Sequence, residues 1–195
     1  MFYRSSRVTV EAMAQRPATA FVRKVPDGDT RPRLVCGTCG FIRYENPKIV
    51  VGSVVAYEDR ILLCRRAIDP RTGFWTLPAG YLELNETTVE GAMREAFEEA
   101  QARIEIDRLL AVYSIPRISQ VQLVYRARLL DPQIAPGVES IEVGLFRWDE
   151  IPWGEIAFPS ARWALTHFHE VAGQADFTPR GNPPGEFGNL GEGGL

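Results

Sequence analysis

Three glutamates in the middle of the sequence have the spacing of neighbouring side chains on a helix. Glu95, Glu98 and Glu99 are separated by three residues and then one, so they lie close together on one side of a helix. Like charges at this separation repel one another unless cations lie among them. Carboxylate oxygens are preferred ligands of hard divalent cations. The spacing therefore predicts a Mg²⁺ or Mn²⁺ site, with the solvated acidic face of a surface helix as the alternative.

Capping signals and apolar periodicity indicate that these glutamates lie on a helix. Thr87 and Glu90 have the spacing of a capping box, in which each side chain bonds a backbone N–H left free at the helix start. They predict a helix from about Thr88 to Ala100. Apolar residues recur at steps of three and four and predict a stripe that packs on a sheet, formed by Val89, Met93, Ala96 and Ala100. The glutamates are expected to face away from this stripe.

The segment from Gly80 to Ala102 resembles the signature motif of the Nudix hydrolases, G-x5-E-x7-R-E-U-x-E-E-x-G-U, in which U is an aliphatic residue. The matching positions are Gly80, Glu86, Arg94, Glu95, Ala96, Glu98, Glu99 and Ala102. Gln101 stands where the family has glycine. That glycine ends the helix with a positive φ, so a side chain there destabilises by about 1 kcal/mol. No metal ligand is lost by this change.

The resemblance implies roles for the residues of the motif. Glu98 and Glu99 are implied metal ligands together with the backbone carbonyl of Ala79, and Glu95 is implied to be a ligand or a base beside the metal. Arg94 lies four residues before Glu98 and is well placed to orient that carboxylate through an ion pair. A divalent cation held in this way neutralises phosphate oxygens and lowers the pKa of a bound water for attack at phosphorus.

Relatives also use an acidic residue beyond the motif as a metal ligand or general base. Glu142 and Glu139 are the candidates here. Glu142 is preferred because it lies six residues before Trp148, where relatives have a comparable glutamate. In the alternative interpretation, either residue only solvates the edge of a loop.

The wider sequence from Arg33 to Ala157 resembles a zinc-ribbon-bearing subgroup with FAD and ADP-ribose pyrophosphatase activity. It implies hydrolysis of a nucleoside diphosphate linked to another group, with ADP-ribose or FAD as the substrate. Arg65, Arg66 and Arg117 are candidate phosphate-binding residues, although scattered basic side chains are normally surface residues. The intact glutamates favour an enzyme over the alternative of a non-catalytic nucleotide-binding sensor on the same scaffold.

NADH pyrophosphatase activity is a further alternative. Relatives that cleave NADH carry the array SQPWPFPxS after the motif. In this sequence Ser119 and Gln120 are followed by Val-Gln-Leu, which departs from that array. NADH is therefore the less favoured substrate.

Two of the three cysteines form a C-x2-C pattern, Cys36-Gly-Thr-Cys39, which suits metal or redox chemistry better than a disulfide framework. The surrounding residues resemble the second half of a zinc ribbon. The first half of such a ribbon requires two more cysteines near Ala14 and Pro17, and neither residue is cysteine. Cys36 and Cys39 are therefore candidate Zn²⁺ ligands that need another chain to complete the site. The alternative is a relic hairpin without metal.

The chain is long enough for one well-buried domain with an appendage. We predict an irregular N-terminal arm over residues 1–32, a half-ribbon hairpin over 33–47, the catalytic domain over 48–174 and a disordered Gly/Pro-rich tail over 175–195. The resemblance implies a mixed-sheet α/β/α sandwich of the Nudix type for the catalytic domain, and a homodimer. The runs IVVGSVVAY and ILLCRRA predict a strand hairpin at its start.

Charge and hydropathy exclude two classes of partner. The formal net charge of −3 provides no basic patch for polymeric nucleic acid. The sequence shows neither a long apolar run nor the hydrophobic core of a signal peptide, so we expect a cytoplasmic protein without a membrane segment. His167 and His169 are two residues apart and do not face each other on a helix, and we assign them no catalytic role.

Overall fold

A computed structural model describes residues 20–189, which divide into one unit that ends at Asn46 and a second that begins at Pro47. The first unit has the strands β1 (Phe21–Lys24), β2 (Arg33–Cys36) and β3 (Ile42–Arg43). The second has the strands β4 (Lys48–Tyr57), β5 (Arg60–Arg66), β6 (Trp75–Thr76), β7 (Ala79–Tyr81), β8 (Ile104–Ile115), β9 (Gln120–Leu129) and β10 (Ser140–Arg147), and the helices α1 (Thr88–Ala100) and α2 (Pro159–Glu170). Short 3₁₀ helices cover Pro116–Ile118, Trp148–Glu150 and Trp153–Glu155.

The central sheet of the second unit is mixed, as predicted. Its strands follow the order β10-β5-β4-β9-β8, with β6 added to β5 and β7 added to β4. The pair β4 and β9 is parallel and the other pairs are antiparallel. The predicted hairpin of β4 and β5 is confirmed, with Tyr57 opposite Arg60 at its turn.

Helices cover both faces of this sheet. Successive residues of a strand point to opposite faces. Val54 packs in a cluster with Ala164 of α2, whereas its neighbour Val55 packs in another cluster with Ala96 and Ala100 of α1. The α/β/α sandwich is therefore confirmed. None of the helices within residues 20–189 combines the length and the apolar composition needed to cross a bilayer.

Helix α1 begins and ends where the sequence predicts. The Thr87 hydroxyl accepts a hydrogen bond from the Glu90 N–H, and the Glu90 carboxylate accepts one from the Thr87 N–H. Gln101 ends the helix with a φ of 50°, the left-handed conformation that the family's glycine adopts without strain. The substitution thus leaves the helix end in place, with the conformational strain carried by Gln101.

The predicted apolar stripe of α1 is only half correct. Ala96 and Ala100 are buried, but Val89 and Met93 are exposed. The row that faces the sheet begins at Ala92 and continues at steps of four. Its side chains are all alanine, so the helix surface toward the sheet is flat and carries little bulk.

The chain around residue 22 is a strand where the sequence predicts an irregular arm. Phe21–Lys24 pairs antiparallel with Arg33–Cys36. All four β1 residues are exposed, so the strand is held by backbone pairing and has no burial pattern for the sequence to show. Residues 1–19, which include Ala14 and Pro17, lie outside the described residues.

The prediction of a disordered tail is wrong for residues 175–189. The Arg180 N–H donates to the Leu110 carbonyl and the Arg180 carbonyl accepts from the Val112 N–H, both at 2.9 Å. Backbone pairing of this kind needs no apolar side chains, so a tail rich in Gly and Pro can still dock on a sheet edge. Residues 190–195 lie outside the described residues.

Candidate active site

A cavity of about 930 Å³ opens beside α1 and the central sheet. Its size is that of a small-molecule site. Acidic and basic side chains share its lining with apolar ones, among them Arg66, Arg94, Glu95, Glu98, Glu99, Ile115, Arg117, Ile118, Glu139 and Phe158. The three glutamates of α1 are thus brought together at one concave surface, and Ala79 lines the same cavity.

Arg94 ties the α1 carboxylates together. Its Nη1 donates to Glu95 Oε1 at 2.7 Å and to Glu98 Oε2 at 2.9 Å. Its Nε and Nη2 donate to the two oxygens of Glu86 at 3.0 and 2.8 Å. A fifth bond runs from Nη2 to the Tyr81 carbonyl at 3.0 Å. One guanidinium therefore fixes three carboxylates and the strand β7 that precedes the helix.

Glu86 supports this arrangement from the loop before α1. The hydrogen bonds from Arg94 hold the pKa of Glu86 down at about 2, and the Glu83 N–H, which donates to it at 2.7 Å, acts in the same direction. Glu86 therefore remains a carboxylate throughout the physiological pH range. Its role is to hold Arg94 against the glutamates.

Two of the three α1 glutamates are buried, contrary to the prediction that they face away from the packed side. Glu95 is 8% exposed and Glu99 is 6% exposed, whereas the side chain of Glu98 is 56% exposed. Glu95 and Glu99 are four residues apart and lie on the inner side of α1, because their row is next to the row of buried alanines. Sequence periodicity did not indicate this, because acidic residues are seldom buried and are therefore assigned to the exposed side of a helix.

Burial makes the negative charge on Glu99 unfavourable. It raises the pKa of the Glu99 carboxyl to about 8, and the negative charge of Glu95 acts in the same direction. Burial also raises the pKa of Glu95, against the opposing effect of Arg94. At neutral pH the Glu99 carboxyl holds a proton unless another cation takes its place.

The donor set fits Mg²⁺ or Mn²⁺, which prefer oxygen ligands. Glu95 and Glu99 supply buried carboxylate oxygens, and Gly80 leaves the space that the Glu95 carboxylate occupies, since a Cβ there would overlap it. Within residues 20–189, no three acidic, His or Cys side chains converge on a single point as they stand. Glu98 is exposed, and its carboxylate pairs with Arg94 at 2.9 Å beside Glu95.

Glu139 lines the cavity and Glu142 does not. Beyond the effect of burial, the negative charge of Glu139 contributes to raising the pKa of both Glu95 and Glu99. Glu142 has a side chain that is 55% exposed and pairs with Arg65 at 3.5 Å. Of the two acidic candidates, the fold therefore brings Glu139 to the α1 glutamates and leaves Glu142, the residue preferred from the sequence, outside the cavity lining.

The loop before β10 brings Glu139 to its position by docking on the end of α1. The Gly137 N–H donates to the Glu99 carbonyl and the Ala135 N–H donates to the Ala100 carbonyl, both at 3.0 Å. These bonds satisfy carbonyls that a helix end leaves free. A Cβ on Gly137 would overlap the carbonyl oxygen of Glu98, so only glycine allows this approach.

Two of the three candidate arginines line the cavity. Arg66 and Arg117 are in its wall, whereas Arg65 is directed to Glu142 and to the Gly73 carbonyl. Arg66 is held by the Pro70 carbonyl at 2.9 Å and lies over the ring of Phe158, at 5.1 Å from its centroid. Phe158 gave no signal in the sequence, because its approach to Arg66 depends on how the chain returns to the sheet before α2.

The cysteines of the first unit are close together but supply only two ligands. Cys39 Sγ lies 3.3 Å from Cys36 Sγ, and the Cys39 N–H donates to Cys36 Sγ at 3.3 Å. The only other cysteine of the sequence, Cys64, is buried in strand β5. A closed structural zinc site uses four ligands. The thiols of one chain therefore do not fit such a site.

The raised pKa of Glu99 predicts how stability changes with pH. Between its ordinary value of 4.5 and its native value of about 8, the native state binds more protons than the unfolded state. The free energy of unfolding of metal-free protein therefore falls as pH rises through this range. Urea unfolding in the presence of EDTA measures this decline.

Glu99→Gln is the control for this expectation, because it removes the titrating group. The difference between wild type and variant should show the decline, and saturating Mn²⁺ should abolish it in the wild type, since the ion replaces the proton. A wild-type curve parallel to that of the variant would contradict the assignment of a protonated Glu99.

Comparisons with known proteins identify the family. The family model described as NUDIX domain matches residues 46–169, and the one described as Nudix N-terminal matches residues 18–45. A crystal structure of a NUDIX hydrolase from Nitrosomonas europaea is 49% identical and has a TM-score of 0.80, with 84% of this chain and 94% of that chain covered.

Two curated relatives are more distant. A MutT-like protein of Streptomyces ambofaciens is 38% identical over 52% of this chain and 64% of its own length. An ADP-ribose pyrophosphatase of Methanocaldococcus jannaschii is 28% identical over 56% of this chain and 67% of its own length. The chain thus spans about two thirds of the length of these relatives. With most of its second unit matched by the domain model, this chain belongs to the Nudix hydrolase family.

Proposed function

We propose that the protein hydrolyses the pyrophosphate bond of a nucleoside diphosphate linked to another group, with ADP-ribose as the preferred substrate and FAD as the second candidate. The observation that carries this proposal is the pair of buried carboxylates, Glu95 and Glu99, in the wall of a cavity large enough for a dinucleotide. Arg94 pairs with Glu95, whereas burial makes the negative charge on Glu99 unfavourable, so the presence of this acid in a cavity favours function.

Four groups are proposed to hold the divalent cation: the carboxylates of Glu95, Glu98 and Glu99, and the backbone carbonyl of Ala79. When bound, Mg²⁺ or Mn²⁺ neutralises phosphate oxygens and lowers the pKa of a water molecule. Arg94 holds the carboxylates of Glu95 and Glu98 next to each other, because its Nη1 donates to both. This arrangement fixes the carboxylates before substrate arrives, which is the condition for electrostatic catalysis.

The remaining steps belong to side chains around the cations. Glu139 is proposed as the base that accepts the proton of the attacking water. It lines the cavity, and its negative charge contributes to raising the pKa of both Glu95 and Glu99. Arg66 is proposed to bind phosphate oxygens, and Arg117, the Phe158 ring and Ile118 to contact the groups linked to the pyrophosphate. The two products are monophosphates, because water adds to one phosphorus and the other phosphate leaves.

ADP-ribose is preferred over the other candidates for two reasons. The relative from Methanocaldococcus jannaschii carries the name ADP-ribose pyrophosphatase. The residues after Ser119 and Gln120 depart from the array of NADH-cleaving relatives. We therefore expect the highest kcat/KM for ADP-ribose, a lower value for FAD and the lowest for NADH.

A substrate panel with Mg²⁺ or Mn²⁺ tests this expectation. Chromatography should show AMP and ribose 5-phosphate from ADP-ribose, and AMP with FMN from FAD, with all turnover abolished by EDTA. Binding of ADP-ribose without any monophosphate product would support a nucleotide sensor instead. A higher kcat/KM for NADH than for ADP-ribose would contradict the proposed substrate order.

A further inference from the structure

The chain after α2 runs back along the edge of the central sheet as a strap formed by residues 176–188. Strand β8 is the last strand of the sheet order, so its outer edge is free to pair. Arg180 makes a parallel bridge to Ala111, with the backbone bonds to Leu110 and Val112 on either side. The strap therefore extends the sheet by a short added segment.

Side chains hold both ends of the strap. At its start, Asp176 accepts a hydrogen bond from Arg108 at 2.6 Å. The Phe177 ring lies 5.4 Å from the guanidinium of Arg108 and 4.7 Å from that of Arg126. Cation–π contacts of this kind stabilise by about 0.5–1 kcal/mol at exposed sites. The start of the strap is thus held by an ion pair and an aromatic contact.

Asn182 holds the far end by imitating a strand. Its Oδ1 accepts from the Ser114 N–H at 2.9 Å, and its Nδ2 donates to the Ser114 carbonyl at 2.8 Å. Nδ2 also donates to the Glu186 carbonyl at 2.9 Å, and the Glu186 N–H donates to the Pro183 carbonyl at 3.0 Å. These bonds turn the chain back toward the sheet after Asn182.

The turn brings Gly188 into the wall of the cavity. Gly188 is buried and lines the cavity together with Ile115, Arg117 and Ile118. Its φ is 73°, and a Cβ there would lie 2.6 Å from Ile115 Cδ1. The backbone of the strap therefore fills the space next to Ile115 that a ligand would otherwise reach.

This wall lies away from the carboxylates. Ile115 pairs with Gln120, which is opposite Lys48, whereas Ala79 is opposite Gly52. Lys48 and Gly52 are separated by four residues, or about 13 Å along the strand. A pyrophosphate held near Ala79 does not extend that far, so the wall faces one of the two groups linked to it.

We propose that the strap is a specificity element, in which Gly188 closes the end of the cavity beside Ile115 and favours a compact linked group over a bulky one. The inference rests on the proposed function, since it assigns which pyrophosphate derivatives the same cavity accepts. A compact group such as ribose phosphate fits beside the wall, and a flavin requires the space that Gly188 occupies. Removing the wall should therefore raise kcat/KM for FAD more than kcat/KM for ADP-ribose.

Two nested truncations separate the wall from the rest of the tail. Ending the chain after Glu186 removes Phe187 and Gly188 and leaves the bonds of Asn182, whereas ending it after Asn189 keeps all of the strap and is the matched control. The shorter chain should raise the ratio of kcat/KM for FAD to that for ADP-ribose by about fivefold or more. Its kcat for ADP-ribose should stay within about twofold of the control, since the carboxylates are not touched.

A point variant provides the same test without truncation. Asn182→Ala removes both bonds to Ser114 and should change the FAD to ADP-ribose ratio in the same direction, with the exposed Asn189→Ala as its control. An unchanged ratio in the shorter chain and in Asn182→Ala would overturn the inference, provided that the Tm shows both to be folded. If full-length protein hydrolyses neither substrate, the proposed function fails. In that case the Kd values for FAD and ADP-ribose provide the test, and an unchanged ratio of the two in the shorter chain would overturn the proposed role of the strap.

Discussion

Glu99→Gln should lower kcat/KM for pyrophosphate hydrolysis by more than about 100-fold, because even residues that only orient a metal ligand contribute about 10- to 100-fold. Glu99 is buried against Glu95, and the amide keeps the size of the side chain while it removes the charge that binds a cation. Glu98→Gln should have a comparable effect on kcat/KM. Steady-state kinetics with ADP-ribose and Mn²⁺ measures both losses.

Glu155→Gln is the matched control for these variants, since Glu155 is an exposed carboxylate outside the cavity lining. Calorimetric titration with Mn²⁺ should show weaker binding in Glu99→Gln and Glu98→Gln, with no change in Glu155→Gln. Turnover equal to that of wild type in both variants would remove the basis for the metal site.

Local signals allowed the helix that carries these residues to be predicted from the sequence. The capping box of Thr87 and Glu90 involves residues three apart, so the start of α1 was correct. The spacing of the glutamates was also sufficient to group them at one site. The side of the helix that faces the sheet was predicted only in part, at Ala96 and Ala100, because it depends on how closely Ala92 and its row approach strands formed elsewhere in the chain.

The errors concern residues whose positions depend on distant backbone contacts. Glu139 reaches the cavity because Gly137 docks on the last turn of α1, and the bulge between Ser140 and Glu142 then directs Glu142 elsewhere. The strap was missed for the same reason, since Asn182 bonds the backbone of a residue 68 positions earlier in the chain. Hydrophobic periodicity contains no information on such contacts.

Glu139→Gln should lower kcat/KM by about 100-fold, whereas Glu142→Gln should stay within about threefold of wild type, because general bases typically contribute 10²- to 10⁴-fold. The two residues are three positions apart, so each serves as the control for the other. Of the two residues, only Glu139 lines the cavity, and its negative charge contributes to raising the pKa of Glu95 and of Glu99. The kcat–pH profile of Glu139→Gln should also lose its acidic limb, which is the signature of a missing base.

Gly137→Ala tests whether the loop acts through Glu139. The added Cβ overlaps the Glu98 carbonyl and should displace the loop, with about a tenfold loss of kcat in a chain that has Glu139. In the Glu139→Gln background the same change should have little further effect, since residues that act as a unit are not additive. Gly154→Ala is the control, because a Cβ there meets no neighbour within 4 Å. If the losses of kcat add in the double variant, Gly137 stabilises the end of α1 and does not act by positioning Glu139. A larger loss of kcat/KM in Glu142→Gln than in Glu139→Gln would identify Glu142 as the base.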